Sequence, residues 1–537
     1  MTKKTFTIWL IIAIIAQFTL AAPLSLAMTE AFGNIIEDAV GNIGNSGNSY
    51  VSDDHFGQGG YIDAPSQGGY IDTPSQGDRG NIWGGDIKPS FSGSGVENDP
   101  YLIECPEELA YLAERVNSGD VEYNNENVYY ELRRDLDLNS ISWTPIGTQE
   151  EQFCGHFDGN GYSIYNLRVD GERLDDRNIG LFGACSGTIK SLSVNNAEIH
   201  ALKSTTNAGA LCGWFSGTAE SCEAINSNLY YHGEFGDIAA GACFGGLVGF
   251  ASSTELMTTV SLLDCCAINV KTYDIPGNVG GLIGYCSVAL DKCYATSQLE
   301  VYHASSVGGL VGHMDGRPSE GIFLIGAAGA NQSFASTQIS NRESYTELYM
   351  GGLVGFSEDA SYRYSYATGM ATGTACAGLG GFAGGVFGGF IEECFSGIKL
   401  FNQQCLSAGG FIGRYEVSES VNGGVGITDS LVFHMPITND PQEEMYVGML
   451  VGRVSDVYYS VLAESIKNSY FNSGETESVY SVSGICRTND IGESIYEGAL
   501  KDSDVIFYGI GWSRDVWNTS QYNPWTGGYY TLKCYGG

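Results

Sequence analysis

Gly245-Gly-Leu-Val-Gly249, Gly280-Gly-Leu-Ile-Gly284, Gly308-Gly-Leu-Val-Gly312 and Gly351-Gly-Leu-Val-Gly355 are four copies of one phrase. Looser copies flank them. Ile179-Gly-Leu-Phe-Gly183 and Ala208-Gly-Ala-Leu-Cys-Gly213 come before, and Gly380-Gly-Phe-Ala-Gly384, Gly409-Gly-Phe-Ile-Gly413 and Gly448-Met-Leu-Val-Gly452 come after. The nine closing glycines are spaced 30, 36, 35, 28, 43, 29, 29 and 39 residues apart. Recurrence at such a period marks a stacked-repeat architecture, in which no unit buries its apolar residues alone and each neighbour completes the next.

A second column follows each phrase. It reads Leu192-Ser-Val194, Cys222-Glu-Ala224, Cys265-Cys-Ala267, Cys293-Tyr-Ala295, Ser333-Phe-Ala335, Ser365-Tyr-Ala367, Cys394-Phe-Ser396, Ser430-Leu-Val432 and Ser469-Tyr-Phe471. Side chains alternate faces along a strand, so the first and third residues share one side. Those positions are mostly Cys, Ser and Ala, which predicts a narrow interior wall. The middle position is often Tyr or Phe, which predicts an outward aromatic row. Two or three short strands per unit, turned by glycines and stacked in parallel, give an all-β solenoid of about nine coils. The cysteines of the column read as compact buried hydrophobes. Rungs about 4.8 Å apart also leave a disulfide among Cys222, Cys265 and Cys293 open. The total of fifteen cysteines excludes complete intramolecular pairing.

Around the repeats the chain divides further. Lys3 and Lys4, the apolar run from Phe6 to Leu20, and the small residues Ser25 and Ala27 have the layout of a secretory signal peptide over residues 1–27. An uncleaved anchor is the competing reading. No later run reaches the ~18 apolar residues of a membrane span. Residues 28–92 are rich in Gly, Asn, Ser and Asp and carry a tandem nonapeptide, Gly59–Gln67 and Gly68–Gln76. Such a segment buries too little to offset its ordering entropy and reads as a flexible spacer. Residues 93–178 form an N-terminal cap and the first strands. There Pro106 with Leu109, Leu112, Ala113 and Val116 predicts a helix, and Asp158-Gly-Asn-Gly161 predicts a turn. Residues 179–475 hold the repeats, and 476–537 form a C-terminal capping segment.

The net charge of −37 argues against nucleic acid and anionic lipid as partners. It suits an extracellular setting and loose Ca²⁺ binding by surface carboxylates.

The combination resembles the GLUG-motif family of secreted bacterial and archaeal proteins. The leader Gly93-Ser-Gly-Val-Glu-Asn-Asp-Pro-Tyr-Leu-Ile103 looks like that family's opening. Asp135-Leu-Asp-Leu138, Trp143-Thr-Pro-Ile-Gly147 and Phe157-Asp-Gly-Asn-Gly161 look like the segment before its first coil, and the nine phrases look like its repeats. The resemblance implies a right-handed parallel β-helix on or outside the cell surface, in relatives attached to adhesin-like proteins or to a metallopeptidase domain. Cys212 in place of an aliphatic residue and Met449 in place of a glycine depart from the pattern.

No catalytic motif accompanies the repeats. The seven histidines, His55, His156, His200, His232, His303, His313 and His434, include no pair at zinc-peptidase spacing. No Gly-x-Ser-x-Gly elbow or phosphate loop occurs. Two outward rows are the binding candidates: the aromatics Tyr294, Phe334, Tyr366 and Phe395 for an extracellular glycan or surface protein, and the acids Asp264, Asp291 and Asp429, with Glu393, for Ca²⁺. A solvated acidic edge and an aromatic row packed under loops are the plainer readings of both. The leading functional reading is an exported, non-catalytic surface or adhesion protein, with no resident cofactor, whose solenoid is a rigid display and binding scaffold. The alternative is a carbohydrate-active β-helix enzyme, a polysaccharide lyase or hydrolase. Its site would be built from the long loops at 313–350 and 414–447.

Overall fold

The structure is a computed structural model that describes residues 82–535, apart from 175–176, 203–204, 234–240, 253–260, 318–327, 343–346, 417–425, 435, 439–445, 455–465, 473–479, 485–492, 496–505, 507–509, 511 and 519–531. The signal peptide, the nonapeptide pair and much of the two longest loops lie outside the described residues. All described residues belong to one compact unit.

The unit is a parallel β-helix. One coil runs through Asn178–Ile179, Phe182–Cys185, Thr188–Lys190, Ser193–Asn195 and Glu198–Ala201. The next repeats it as Asn207–Ala208, Cys212–Phe215, Thr218–Glu220, Glu223–Ile225 and Asn228–Tyr231, each strand pairing in parallel with its predecessor. The third strand of each coil belongs to a separate sheet of twelve strands, running from Tyr101–Ile103 to Ile466–Lys467. The column aligned from sequence is in register throughout. Ser193, Glu223, Cys266, Tyr294, Phe334, Tyr366, Phe395, Leu431 and Tyr470 are successive rungs. The stack continues past the nine phrases. Isolated bridges tie Ile146 to Phe182 and Phe153 to Cys185 on one side, and Tyr480–Gly484 and Glu493–Ile495 pair onto the other.

The phrase is a bend with no room for side chains. A Cβ on Gly280 would stand 1.9 Å from the carbonyl oxygen of Ile283, inside its own bend. A Cβ on Gly281 would stand 2.0 Å from the Gly309 oxygen of the next coil and 3.0 Å from the Ala295 Cβ across the interior. The closing Gly284 lies 2.4 Å, measured the same way, from the amide nitrogen of Phe244 in the preceding coil. The small column faces the second glycine, which explains why both walls are small at that level.

Other corners use left-handed residues. Asn166, Asn196, Asn226 and Asn269 hold φ between 53° and 60°, a conformation that Asn tolerates better than most residues. Their amides also stack: Asn196 Nδ2 donates to Asn166 Oδ1 at 2.6 Å and Asn269 Nδ2 to Asn226 Oδ1 at 2.8 Å.

Cys222, Cys265 and Cys293 are fully buried, unpaired thiols that donate to backbone carbonyls of Glu220, Leu263 and Asp291 at 3.3–3.4 Å. The disulfide among the described residues lies elsewhere, joining Cys376 to Cys405 one coil on.

Helix α1 (Pro106–Asn117) forms where expected, with Pro at its first turn and Leu109, Leu112 and Val116 buried in the shared core. The Asn117 side chain ties it to the first coil by donating to the Pro145 carbonyl at 2.9 Å and accepting from the Gly147 amide at 2.7 Å. Residues ahead of Gly93 join the packed unit: the Trp83 amide donates to the Asp137 carbonyl at 2.8 Å, and its ring packs edge-on against Trp143. No helix among the described residues is long and apolar enough to cross a membrane.

Candidate functional site

The aromatic row expected from the second column exists as a stack. Ring centroids are 5.0 Å apart from Tyr294 to Phe334, 4.9 Å from Phe334 to Tyr366 and 4.7 Å from Tyr366 to Phe395, with interplanar angles of 3–4°. It is not an open platform. Phe334, Tyr366 and Phe395 are buried in a second hydrophobic cluster with Ile506, Trp512, Trp517 and Leu532, and only Tyr294 stays partly exposed. The C-terminal segment therefore lies sideways on this row rather than only capping an end of the stack. Trp512 Nε1 donates to the Asp429 carbonyl at 2.6 Å, and the Ser513 amide donates to Glu393 Oε2 at 2.8 Å.

The acids of the candidate Ca²⁺ row are not gathered into a ligand set. Asp264 and Asp429 occupy corners with φ of 51° and 52°, as does Glu393 at 47°. The reason for an acid there is conformational, since Asp enters the left-handed region more readily than most residues. The corner between Asp264 and Glu393 passes through Lys292, Gln332 and Tyr364, so Asp429 stands five rungs, roughly 24 Å, from Asp264. Asp291 instead accepts from Asn331 Nδ2 at 2.7 Å. Burial pushes the Asp264 and Asp429 carboxyls above the ordinary range.

A different outward row is open. On five successive coils the residue after the closing glycine points out of the sheet, giving Trp214, Phe250, Tyr285, His313 and Phe356. All five are half-buried. Phe250 and Tyr285 stack at 4.7 Å and 5°; His313 meets Tyr285 and Phe356 at 5.1 Å each. Beyond them Phe356 and Phe387 approach to 4.8 Å, and Arg414 lies over the Phe387 ring. The row was readable from the position next to the closing glycine. Its mixed Trp, Phe, Tyr and His identities hid the regularity.

Beside this row stands the one cluster of three metal-ligating side chains among the described residues, His313, Asp315 and Glu358, with ligand atoms within 4.8 Å of one another. A cation already sits among them. Arg317 donates to both Asp315 oxygens at 2.8 and 2.9 Å and pairs with Glu358 at 2.7 Å, while Tyr285 Oη donates to Asp315 at 2.9 Å. Burial alone would raise the Asp315 pKa, but the Arg317 and Tyr285 hydrogen bonds hold it below the usual carboxylate value. This is a satisfied ion pair that fixes the edge of the aromatic row.

A third row, Asp170, His200, Tyr230 and Tyr273, runs along the strands that follow the asparagine corners. Its rings stack at 4.9 Å (His200 to Tyr230) and 4.8 Å (Tyr230 to Tyr273). His200 Nδ1 lies 2.9 Å from His232 Nε2. Burial, then the nearby Arg168 and His232, lower the His200 pKa.

No family model matches the chain. Over 129 residues, 22% of its length, it is 33% identical to a protein of Evansella cellulosilytica described as a Gly-rich membrane protein. Over 189 residues, 33% of its length, it is 26% identical to Halomucin of Haloquadratum walsbyi. These matches cover 14% and 2% of the relatives' own lengths. A crystal structure described as an immunoglobulin A1 protease from Bacteroides ovatus is similar with a TM-score of 0.39 and 15% identity, over 82% of this chain and 94% of that one.

Proposed function

We propose that this chain is an exported, non-catalytic surface protein of the GLUG-motif type, whose β-helix holds the row from Trp214 to Phe356 as a rigid contact face. The observation that carries the reading is the half-exposed row itself. Exposed aromatic side chains held by a sheet lose little entropy on binding, which favours their use as anchors. The names of the two relatives, a membrane protein and Halomucin, support placement at a cell surface. The enzymatic alternative would need acids free to act on a bond, whereas Asp315 and Glu358 are tied to Arg317.

The test has two arms. Antibody labelling of intact source cells should detect the chain at the surface. A glycan and matrix-protein array with the full chain, followed by product analysis of every hit, should show binding without turnover. Replacing Phe250, Tyr285 and Phe356 together by Ala should weaken that binding by about tenfold or more. Released product from any hit overturns the non-catalytic reading, and undiminished binding by the triple variant overturns the contact face.

A further inference from the structure

The row that follows the closing glycines does not end at Phe356. Its next rungs are Gly385, Arg414 and Arg453. Arg414 and Arg453 are direct partners on neighbouring strands, roughly 4.8 Å apart at the backbone, and both are half-buried. Like charges placed opposite each other in a sheet repel. Such a pair stands out in a chain with only 25 basic residues against 62 acidic ones.

The two arginines are not equally occupied. Arg414 Nη1 donates to Tyr349 Oη at 3.1 Å, its Nη2 pairs with Glu416, and its guanidinium lies over the Phe387 ring at 5.6 Å. Arg453 lies 5.1 Å over the Tyr446 ring and meets no carboxylate among the described residues. Its fork of donors and its charge are therefore unmatched. Tyr349 joins them. Its ring lies across the side-chain-free rung, where a Cβ on Gly385 would stand 2.6 Å from Tyr349 Cδ1. Burial pushes the Tyr349 pKa up, while the Arg414 and Arg453 charges, both close enough to act on it, pull the other way. The phenol thus keeps its hydrogen at neutral pH. Its oxygen accepts from Arg414, so that hydrogen is the one it can offer outward.

Two guanidinium groups and a phenol, all donating, select a group made only of acceptors, and the surplus charge makes that group an anion. The neighbouring rings say what carries it. Tyr349 meets Phe356 at 47° and Phe356 meets Phe387 at 51°, whereas Phe250 and Tyr285 lie flat together at 5°. The rings beside the arginines are not closed face to face. A carboxylate borne directly on a saturated ring with apolar C–H faces uses both the donors and the rings; the flexible arm of an Asp or Glu side chain uses the donors alone. Asp315 and Glu358 stand on the adjacent outward row, so a polymer charged at every unit would meet repulsion there.

We propose that this end of the face binds a glycan in which a uronate is flanked by neutral units, its carboxylate held by Arg453, Arg414 and Tyr349 and its neighbouring units lying along Phe356, His313 and Tyr285. The inference rests on the contact-face reading and names its ligand class.

The test is calorimetry of the full chain with a hyaluronan hexasaccharide, a glucuronoxylan oligosaccharide, the carboxyl methyl ester of each, and an oligoglutamate. At least one uronate glycan should bind saturably, and about tenfold more tightly than its uncharged ester. Arg453→Gln should abolish that difference while leaving the thermal midpoint unchanged, which separates loss of the anion grip from loss of the fold. Absence of binding by both uronate glycans overturns the proposal, as do equal binding of acid and ester and undiminished affinity in Arg453→Gln. Oligoglutamate binding as tightly as the glycans also overturns it, in favour of an acidic peptide. Binding lost in the Phe250, Tyr285 and Phe356 triple variant but unchanged in Arg453→Gln would sink this inference and leave the contact face standing. The reverse pattern would sink the contact face and leave the anion site.

Discussion

At Gly309 a Cβ would stand 2.2 Å from the Gly352 carbonyl oxygen, 2.7 Å from Thr337 Cγ2 and 2.9 Å from Ala335 Cβ. Ala335 belongs to the small column, Thr337 to the strand that continues it and Gly352 to the next bend, so none can retreat without moving a rung. Gly309→Ala should therefore cost about 1–3 kcal/mol, the usual range for overpacking. Gly84→Ala, whose added Cβ would meet nothing nearer than Asp86 Oδ2 at 3.9 Å, should stay within about 0.5 kcal/mol. Urea unfolding of both variants checks the pair, and equal midpoints would remove the close-packed bend as the reason for the phrase. The same residue-level reasoning was readable in advance for the column, because Cys, Ser and Ala at alternate positions can only mean a narrow wall. It was not readable for Asp264, Asp429 and Glu393. In a sequence they look like a row of ligands, whereas in the coil they are chosen for a left-handed φ, and nothing in composition separates the two causes.

Among the elements, the C-terminal segment has the largest local consequence. Trp517 is fully buried, stacks on Trp512 at 4.6 Å and packs against Phe395 at 5.8 Å. Trp517→Ala should cost about 3–5 kcal/mol of the segment's attachment. Because that attachment is a small part of the whole, the segment should open while the coils stay paired. Hydrogen exchange should then accelerate across Trp512–Trp517, with a hydrophobic dye binding the uncovered Tyr366 and Phe395. Retained protection in the variant would show that the cover is held by something other than these rings. Strand period and register were legible over the whole column because each coil repeats the same alternation. That a distant segment would lie over one outward row and leave another open was not, since such packing has no period. The sequence-based choice therefore fell on the Tyr294–Phe395 row, while the open one begins at Trp214.

For the molecule as a whole, the distribution of thiols sets a pH limit. Nine free cysteines among the described residues are buried, and burial pushes the thiol pKa values of Cys185, Cys243 and Cys286 up to about 12. In the unfolded chain a thiol loses its proton near ~8.5. The folded state thus holds protons that the unfolded state has already released, so stability is full below ~8.5 and falls as pH rises toward 12, by about 1.4 kcal/mol per pH unit for each such thiol. Urea midpoints should be level from pH 7 to 8 and drop steeply by pH 10.5, and a flat profile would mean that these thiols are not closed off from water. Finally, the rungs from Ser193 to Tyr470 keep register although successive phrases are separated by anything from 28 to 43 residues. Length is absorbed in the connections between strands, long from Ala251 to Ser261 and short from Cys286 to Ala289, and is not transmitted along the stack. Insertions and deletions in those connections are therefore local edits, and a lineage can lengthen, shorten or duplicate single coils without having to re-evolve the coils on either side.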